Sequence, residues 1–429
     1  MTSENIQWLF LDLALIFVLA RALGALAARV GQPPVVGEIL AGVLLGPSLL
    51  GEAPAGRLFP TDVRPFLSAL ANIGVALFMF TVGLELEHRA LRGRTRVTAG
   101  AALGSTLVPF ALGLGLAFYL LRGHETGQQA AFVVFVGLAV SVTAFPVLAR
   151  ILTDRGLSRT ETGGLALATA AVVDVVAWSA LAAVQAAVGG PGGHGHWRAA
   201  LLLPFIAALV LLRPLLRRAL GPAGPDGALT SRAFAVAVTG ALLSAAATEA
   251  MGMHYIFGAF LFGAALPREG SDRIREELAG RTEQLTALLL PVYFVVAGLK
   301  VDLRGVGAQG IVELLVILAV AIGGKFCGTY AGARSQGLPG GPSATLAALM
   351  NTRGLTELVI LGVGMELGLL DGRLYSLMVV MALVTTAMTG PLLSLIERRD
   401  RKRPDPPAPR TAGDGPAAGR PLSGRAADA

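Results

Sequence analysis

The sequence predicts an all-α polytopic membrane protein. Of its 429 residues, 54% are apolar and only 15% are charged, and the mean hydropathy is +0.67, whereas soluble domains are roughly 45–50% apolar and 25% charged. The apolar residues come in repeated blocks of about 20, the length that a helix needs to cross a bilayer. Alternating strands of about ten residues, typical of a membrane barrel, are absent from the sequence. A water-soluble globular fold is therefore excluded.

The apolar blocks predict about thirteen transmembrane helices. Their approximate bounds are 8–29, 35–50, 65–84, 98–121, 128–152, 161–187, 198–216, 231–248, 255–266, 282–300, 307–334, 342–367 and 373–396. Because the second and ninth blocks are short, twelve helices is the alternative count.

Basic residues predict the orientation of these helices, because short cytoplasmic loops are enriched in Lys and Arg. Every second connection is rich in arginine: Arg89, Arg92, Arg94 and Arg96; Arg155 and Arg159; Arg213, Arg217 and Arg218; Arg268, Arg273, Arg275 and Arg281. We therefore expect a cell-membrane protein with its N-terminus outside and its C-terminus in the cytoplasm. Topology accounts for the net charge of +7, so no nucleic-acid partner is expected.

The chain divides into a transmembrane domain, 1–396, and a tail, 397–429. The tail is made of Pro, Ala, Gly and Arg without periodicity, a composition that predicts a disordered cytoplasmic segment. The single cysteine, Cys327, excludes a disulfide within the chain and a cysteine-based metal site. No cofactor is expected.

Two predicted helices contain residues that interrupt a helix near mid-membrane. The first is interrupted at Ser141-Val142-Thr143-Ala144-Phe145-Pro146 and the second at Asn351-Thr352-Arg353-Gly354-Leu355-Thr356-Glu357. Each taken alone could be an ordinary kink, which is common at proline in membrane helices. Matching interruptions in two halves of a chain instead indicate an inverted repeat whose broken helices cross near the midplane.

Charged residues inside predicted helices are the second signal, because a charge in the membrane needs a partner, a proton or an ion. Asp174 lies in an apolar run, and Lys325 is one of only three lysines, beside thirty-two arginines. The alternative interpretation is that Asp174 and Lys325 each belong to a structural ion pair. Arg353 and Glu357 are four residues apart, so they can pair on one helix face for structure or for function.

These residues resemble the monovalent cation:proton antiporter-2 family, which includes bacterial sodium and potassium proton antiporters. The resemblance is carried by 32–42 (QPPVVGEILAG), 77–86 (LFMFTVGLEL), 141–152 (SVTAFPVLARIL), 170–178 (AAVVDVVAW), 258–263 (GAFLFG), 324–325 (GK) and 351–358 (NTRGLTEL). It implies two inverted repeats, with a core domain that holds crossed broken helices and a dimerisation domain, and it implies a homodimer.

The resemblance also implies roles for individual residues. Asp174 is expected to bind the metal ion, Na+ or K+, or the proton, while Thr143, Ser141 and neighbouring carbonyls line the site. Lys325 matches the core lysine of the family, and Lys325, Glu357 and Arg353 together are the expected charge partners of the core. Many members carry an acidic or amide residue just before the aspartate, where this chain has Val173, so the stoichiometry stays open.

The expected function is exchange of a monovalent cation for protons across the lipid bilayer. A carboxyl group withdrawn from water favours its protonated form, and a dehydrated cation competes for the same oxygens. No bond in a substrate is made, so an enzyme is not expected. The alternative is a cation channel or uniporter, which would conduct regardless of a pH gradient and would show filter-like glycine repeats that the sequence lacks.

Overall fold

The computed structural model describes residues 3–85, 95–124, 126–157, 160–188, 201–220, 229–267 and 272–401. All regular elements within these ranges are helices: α1 (Ser3–Arg29), α2 (Pro34–Leu45), α3 (Pro47–Leu50), α4 (Glu52–Leu58), α5 (Arg64–Glu85), α6 (Thr95–Leu120), α7 (Gln129–Ser141), α8 (Phe145–Asp154), α9 (Glu161–Val188), α10 (Leu202–Ala219), α11 (Ser231–Ala250), α12 (Tyr255–Ala265), α13 (Asp272–Leu299), α14 (Ala308–Ser335), α15 (Gly340–Met350), α16 (Leu355–Glu366) and α17 (Gly372–Arg401). The predicted all-α class is confirmed.

Nine of the described helical stretches are long and apolar enough to cross a membrane, with α7 and α8 counted as one. The pair α15 and α16, bent by 43°, would be a tenth, and α2 and α12 are shorter apolar helices. The predicted count of about thirteen stays a prediction. Several of the arginines used for orientation fall in 86–94, 158–159 and 268–271, and most of the predicted tail falls in 402–429. These segments lie outside the described residues.

The described helices pack into two groups. The panel bundle contains α1, α2, α5, α11, α12 and α13, with α10 against α11 and α12. The crossing bundle contains α6, α7, α8, α9, α14, α15, α16 and α17. Contacts between the two bundles are sparse and include those of α13 with α16 and of α2 with α17. Two compact bundles with a thin interface can move relative to one another as bodies.

The order of helices in the panel and crossing bundles repeats along the chain. In each half a long helix packs on a short one, α1 on α2 and α11 on α12. Gly37 of α2 touches Leu23 of α1, and Gly258 of α12 touches Ser244 of α11. The number of residues from Leu23 to Ser244 equals the number from Gly37 to Gly258. The short helix of each half also packs on a long helix of the other half, α2 on α13 and α12 on α5. Equivalent helices α6 and α14 meet closely at Gly104 and Gly328. This exchange of partners is the pseudo-two-fold arrangement of the predicted repeats.

Chain direction defines two faces of the molecule. At the Arg150 face α8 ends and α9 begins, and at the His124 face α6 ends and α7 begins. The second half follows the same alternation, so Glu366, which ends α16, and Asp371, which precedes α17, lie at the His124 face. The two broken helices run between these faces and cross between them.

Candidate functional site

Both predicted helix interruptions are confirmed as breaks. The first lies between α7, which ends at Ser141, and α8, which begins at Phe145; the second lies between α15, which ends at Met350, and α16, which begins at Leu355. The N–H of Ala144 donates to the carbonyl of Thr352 at 3.0 Å, so the two breaks are hydrogen-bonded to each other. Pro146, in the first turn of α8, lacks an N–H that would have no helical partner there.

Glycine is required where the second break approaches α8. Gly354 has φ +155°, and a Cβ built on it would lie 2.6 Å from the side chain of Val147. Any larger residue would push the second break away from α8. The crossing therefore depends on a position without a side chain.

Asp174 lies on α9 beside this crossing, with only 3% of its surface exposed. The backbone N–H of Phe145, in the first turn of α8, lies close to the carboxylate. The positive end of a helix dipole favours a negative charge at that point. One carboxylate oxygen, Oδ1, is buried and has no hydrogen-bond partner. A proton or a cation is the natural partner for that oxygen.

Lys325 is fully buried on α14 and donates to neutral oxygens. Its Nζ lies 2.6 Å from the hydroxyl of Thr143, and 3.0 and 3.1 Å from the carbonyl and hydroxyl oxygens of Ser105. No ion pair within 4.0 Å joins it to Asp174 or Glu357, both of which are described. Nearby carboxylates therefore act on the lysine through space and not by contact.

Thr143 and Ser141, the predicted ion-binding hydroxyls, both lie buried at the first break. Thr143 donates to the carbonyl of Met350 at 2.8 Å while it accepts from Lys325, which ties both breaks to α14. Ser141 donates to the carbonyl of Leu138 at 2.8 Å. Their hydroxyl protons are thus used within the protein. Each oxygen keeps lone-pair capacity, and the role of both as ion ligands stays a prediction.

Arg353 and Glu357 form a fully buried ion pair of 2.7 Å. The guanidinium also donates to the carbonyl of Ala139 at 2.8 Å and to that of Val140. These carbonyls end α7, where the helix dipole places negative partial charge. Arg353 is therefore the cap of the broken helix as well as the partner of Glu357.

A cavity of about 530 Å³ opens between the two bundles at the Arg150 face. It reaches Phe145 and Pro146 at the break, and its charged lining residues are Arg21, Glu38, Arg150, Asp154 and Glu283. The backbone N–H of Phe145 lies close to Asp174. The cavity therefore leads from one face to the vicinity of the buried carboxylate.

The opposite side of the site is closed by contacts between the bundles. The imidazole of His254, in the panel bundle, lies 3.5 Å from the carboxylate of Glu366. The backbone N–H of His254 donates to the side-chain oxygen of Gln185 at 3.3 Å. The hydroxyl of Tyr375 donates to the carbonyl of Ala297 at 3.1 Å. A small cavity of about 150 Å³ is lined by His254, Glu366, Ala297 and Tyr375. The cavity that reaches the first break, near Asp174, thus opens at the Arg150 face.

Ser105 was not singled out in the sequence, although it supplies two of the three oxygens around Lys325. The only sequence signal was its place beside Gly104, where α6 meets α14. In the part of the chain that the structure describes, no group of three or more His, Cys, Asp or Glu residues is placed to hold a metal. A cation at this site would be bound by one carboxylate and neutral oxygens.

Comparisons with known proteins agree on one family. The transmembrane sodium/hydrogen exchanger family model matches residues 14–396. The Na(+)/H(+) antiporter NhaS4 of Synechocystis sp. is 38% identical over 403 residues, covering 92% of this chain and 98% of that protein. Cation/H(+) antiporter 20 of Arabidopsis thaliana is 37% identical, and the chain spans 49% of it. The structure of the sodium proton antiporter MjNhaP1 from Methanocaldococcus jannaschii superposes with a TM-score of 0.68 at 14% identity, covering 92% of this chain and 98% of that one.

Proposed function

Because the chain belongs to the sodium/hydrogen exchanger family and is a cation/proton antiporter rather than an enzyme, we propose that it exchanges Na+ or K+ for H+ at Asp174 by alternating access. The observation that carries the proposal is the unpartnered Oδ1 of a buried carboxylate, placed where two broken helices cross and a cavity from one face ends. That oxygen can hold a proton or a cation in turn, but not both.

The chemistry needs a single competing site. In the absence of a cation, burial favours the protonated carboxyl group, because a charge is costly away from water. A cation that arrives through the cavity replaces the proton, and the hydroxyl oxygens of Thr143 and Ser141 with carbonyls of the breaks complete its shell. Since only a loaded site crosses, movement of the cation in one direction requires movement of protons in the other.

Alternating access requires the site to open to the second face. The structural support is the sparse packing between the bundles together with the cavity at the Arg150 face and the closed contacts at the His124 face. A movement of the crossing bundle along the panel bundle would close the cavity at the Arg150 face and open the contacts at the His124 face. The excess of arginine in the connections on the Arg150 face supports a cytoplasmic location for it in the cell membrane. The panel bundle is then the part expected to form a homodimer.

Transport is proposed to be electroneutral, one cation for one proton. Val173, directly before Asp174, is buried and carries no ionisable group, so a single carboxylate releases one proton for each cation that it accepts. Lys325 would then keep the same charge throughout the cycle. Na+ uptake into liposomes under an imposed potassium/valinomycin potential checks this: the rate should change little with the potential. A strong dependence that disappears in K325Q would show Lys325 to be a second proton carrier.

The central test is Asp174→Asn in liposomes, with Na+ or K+ added while internal pH is recorded. The variant should insert normally and lose cation-driven proton movement, because the amide cannot exchange a proton for a cation. Asp12→Asn is the matched control: Asp12 is equally buried and without a hydrogen bond, but it lies in α1 of the panel bundle. D12N should retain exchange. Near-normal exchange by D174N would refute the mechanism, and conductance without proton coupling in the unmodified protein would favour a channel.

A further inference from the structure

Glu38 is a carboxylate in the cavity wall that the proposed cycle does not use. It lies one turn into α2, in the panel bundle, and is half-buried. Its Cγ lies beside Gly24 of α1, so its stem packs between two helices while its carboxylate faces the cavity. Glu38 therefore stands between the Arg150 face and the crossing that holds Asp174.

The carboxylate of Glu38 has no direct partner. Within the described residues it accepts no hydrogen bond and forms no ion pair within 4.0 Å. Arg21 and Arg150 influence it through space, but each is engaged elsewhere: Arg21 donates to the carbonyl of Ala287 at 3.3 Å, and Arg150 lies 3.8 Å from Asp154. A carboxylate that is partly withdrawn from water and has no cationic side chain bonded to it needs a diffusible cation or a proton.

Neutral oxygens line the same cavity on the same bundle. Thr81 of α5 and Thr286 of α13 both border it. Their hydroxyl protons are donated to carbonyls of their own helices, at 3.1 Å for Thr81 and 3.0 Å for Thr286. Their oxygen lone pairs are therefore left to accept. A carboxylate with hydroxyl oxygens is a donor set suited to a hard, partly hydrated cation.

We infer that Glu38, with the hydroxyl oxygens of Thr81 and Thr286, forms a second monovalent-cation site that a cation occupies on its way between the Arg150 face and Asp174. The inference rests on the proposed function and extends it. Because Glu38 belongs to the panel bundle and Asp174 to the crossing bundle, the second site serves only one face. It raises the local concentration of cations on that side, as charged walls of a cleft do.

The test measures the apparent KM for Na+ and for K+ separately at each face, in everted and right-side-out membrane vesicles. Glu38→Gln should raise the KM at the Arg150 face about five- to tenfold, since a carboxylate a few ångströms from a cation in a partly aqueous site is worth about that factor. The KM at the His124 face and the maximal rate should stay within about twofold of the unmodified protein. Glu283→Gln is the matched control, because Glu283 borders the same cavity but is exposed. It should change either KM by less than about twofold.

Two further variants separate cation binding from folding. E38D keeps the charge and should hold the KM at the Arg150 face within about threefold of the unmodified protein. T81V/T286V keeps the carboxylate and should raise that KM roughly two- to threefold, again on one face. An unchanged KM in E38Q, equal increases at both faces, or an E38D as impaired as E38Q would overturn the inference. Exchange by the unmodified protein and its loss in D174N, measured in the same vesicles, test the proposed function independently.

Discussion

Arg353 should be the residue whose loss destabilises the crossing most. Its guanidinium is fully buried and has three acceptors: Glu357 and the carbonyls of Ala139 and Val140. Arg353→Gln removes the positive charge and cannot reach all three. Glu357→Gln removes only the negative charge of one acceptor, because its amide oxygen can still accept and Arg353 still donates to both carbonyls. The two variants therefore separate the ion pair from the cap on α7.

The expected magnitudes follow from burial. Breaking a fully buried ion pair by removing one partner costs about 3–5 kcal/mol, since the remaining charge is left uncompensated. For R353Q, two buried carbonyls lose their donor as well, at about 1–3 kcal/mol each, so a total above about 5 kcal/mol is expected. For E357Q the remaining arginine is still solvated by α7, and about 2–3 kcal/mol is expected.

The assay is thermal unfolding of the purified protein in detergent, with the four proteins of the double-mutant cycle compared in one buffer. Arg150→Gln is the matched control, because Arg150 and Asp154 are also four residues apart but their side chains are 63% and 57% exposed. Loss of that pair should cost less than about 0.5 kcal/mol. The stability of the double variant R353Q/E357Q should be closer to that of R353Q than to that of E357Q, since R353Q and the double variant both lack the cap on α7.

Equal destabilisation by R353Q and E357Q would refute this reasoning. It would mean that the ion pair alone accounts for the role of Arg353 and that the carbonyls of Ala139 and Val140 find other donors or water. An R353Q protein as stable as R150Q would refute the buried geometry itself.

Three further predictions concern the site, its outer face and its closure. Thr143→Val should weaken the apparent cation affinity in a cation titration and lower the unfolding temperature, whereas Thr143→Ser should keep both, because only valine removes the bridging oxygen; equal values would assign Thr143 to packing. A hydrogen bond with Asp371 at 2.5 Å raises the pKa of His124 above its ordinary value, so the stability lost in H124Q should be greatest below about pH 6.5 and should vanish as the pH rises past the raised pKa; a pH-independent difference between unfolding temperatures would contradict it. Glu366→Gln weakens the contact with His254 between the bundles, and Val359 of α16 borders the small cavity beside that contact. V359C in a cysteine-free chain should therefore react faster with a hydrophilic thiol reagent added at the His124 face; an unchanged rate would show that the contact does not contribute to the closure.

Much of the fold was predictable from local pattern. The apolar blocks predicted an all-α membrane protein, and the proline near Phe145 and the glycine after Arg353 predicted both breaks, since these residues act on the backbone at their own position. The pairing of Arg353 with Glu357 was readable because a spacing of four places two side chains on one helix face. The expected relation to cation/proton antiporters is confirmed.

The partners of the buried charges were not predictable in the same way. Lys325 was expected to pair with a carboxylate, but its ammonium donates to Ser105 and Thr143. Both residues lie roughly half the chain length away in the sequence. Which oxygen a buried ammonium reaches depends on where helices cross, and those crossings are set by close packing at glycines such as Gly104. Sequence spacing carries no information about such contacts.

The sequence by itself determined the helices, their interruptions and the buried Asp174, because each follows from hydropathy and backbone preference over a few residues. Only the tertiary structure decided that Asp174 keeps one free oxygen, that Arg353 caps α7, and that a cavity lined by Glu38 opens at a single face. These features arise where two bundles meet, and the free energy of that meeting is spread over many weak contacts between residues far apart in the chain.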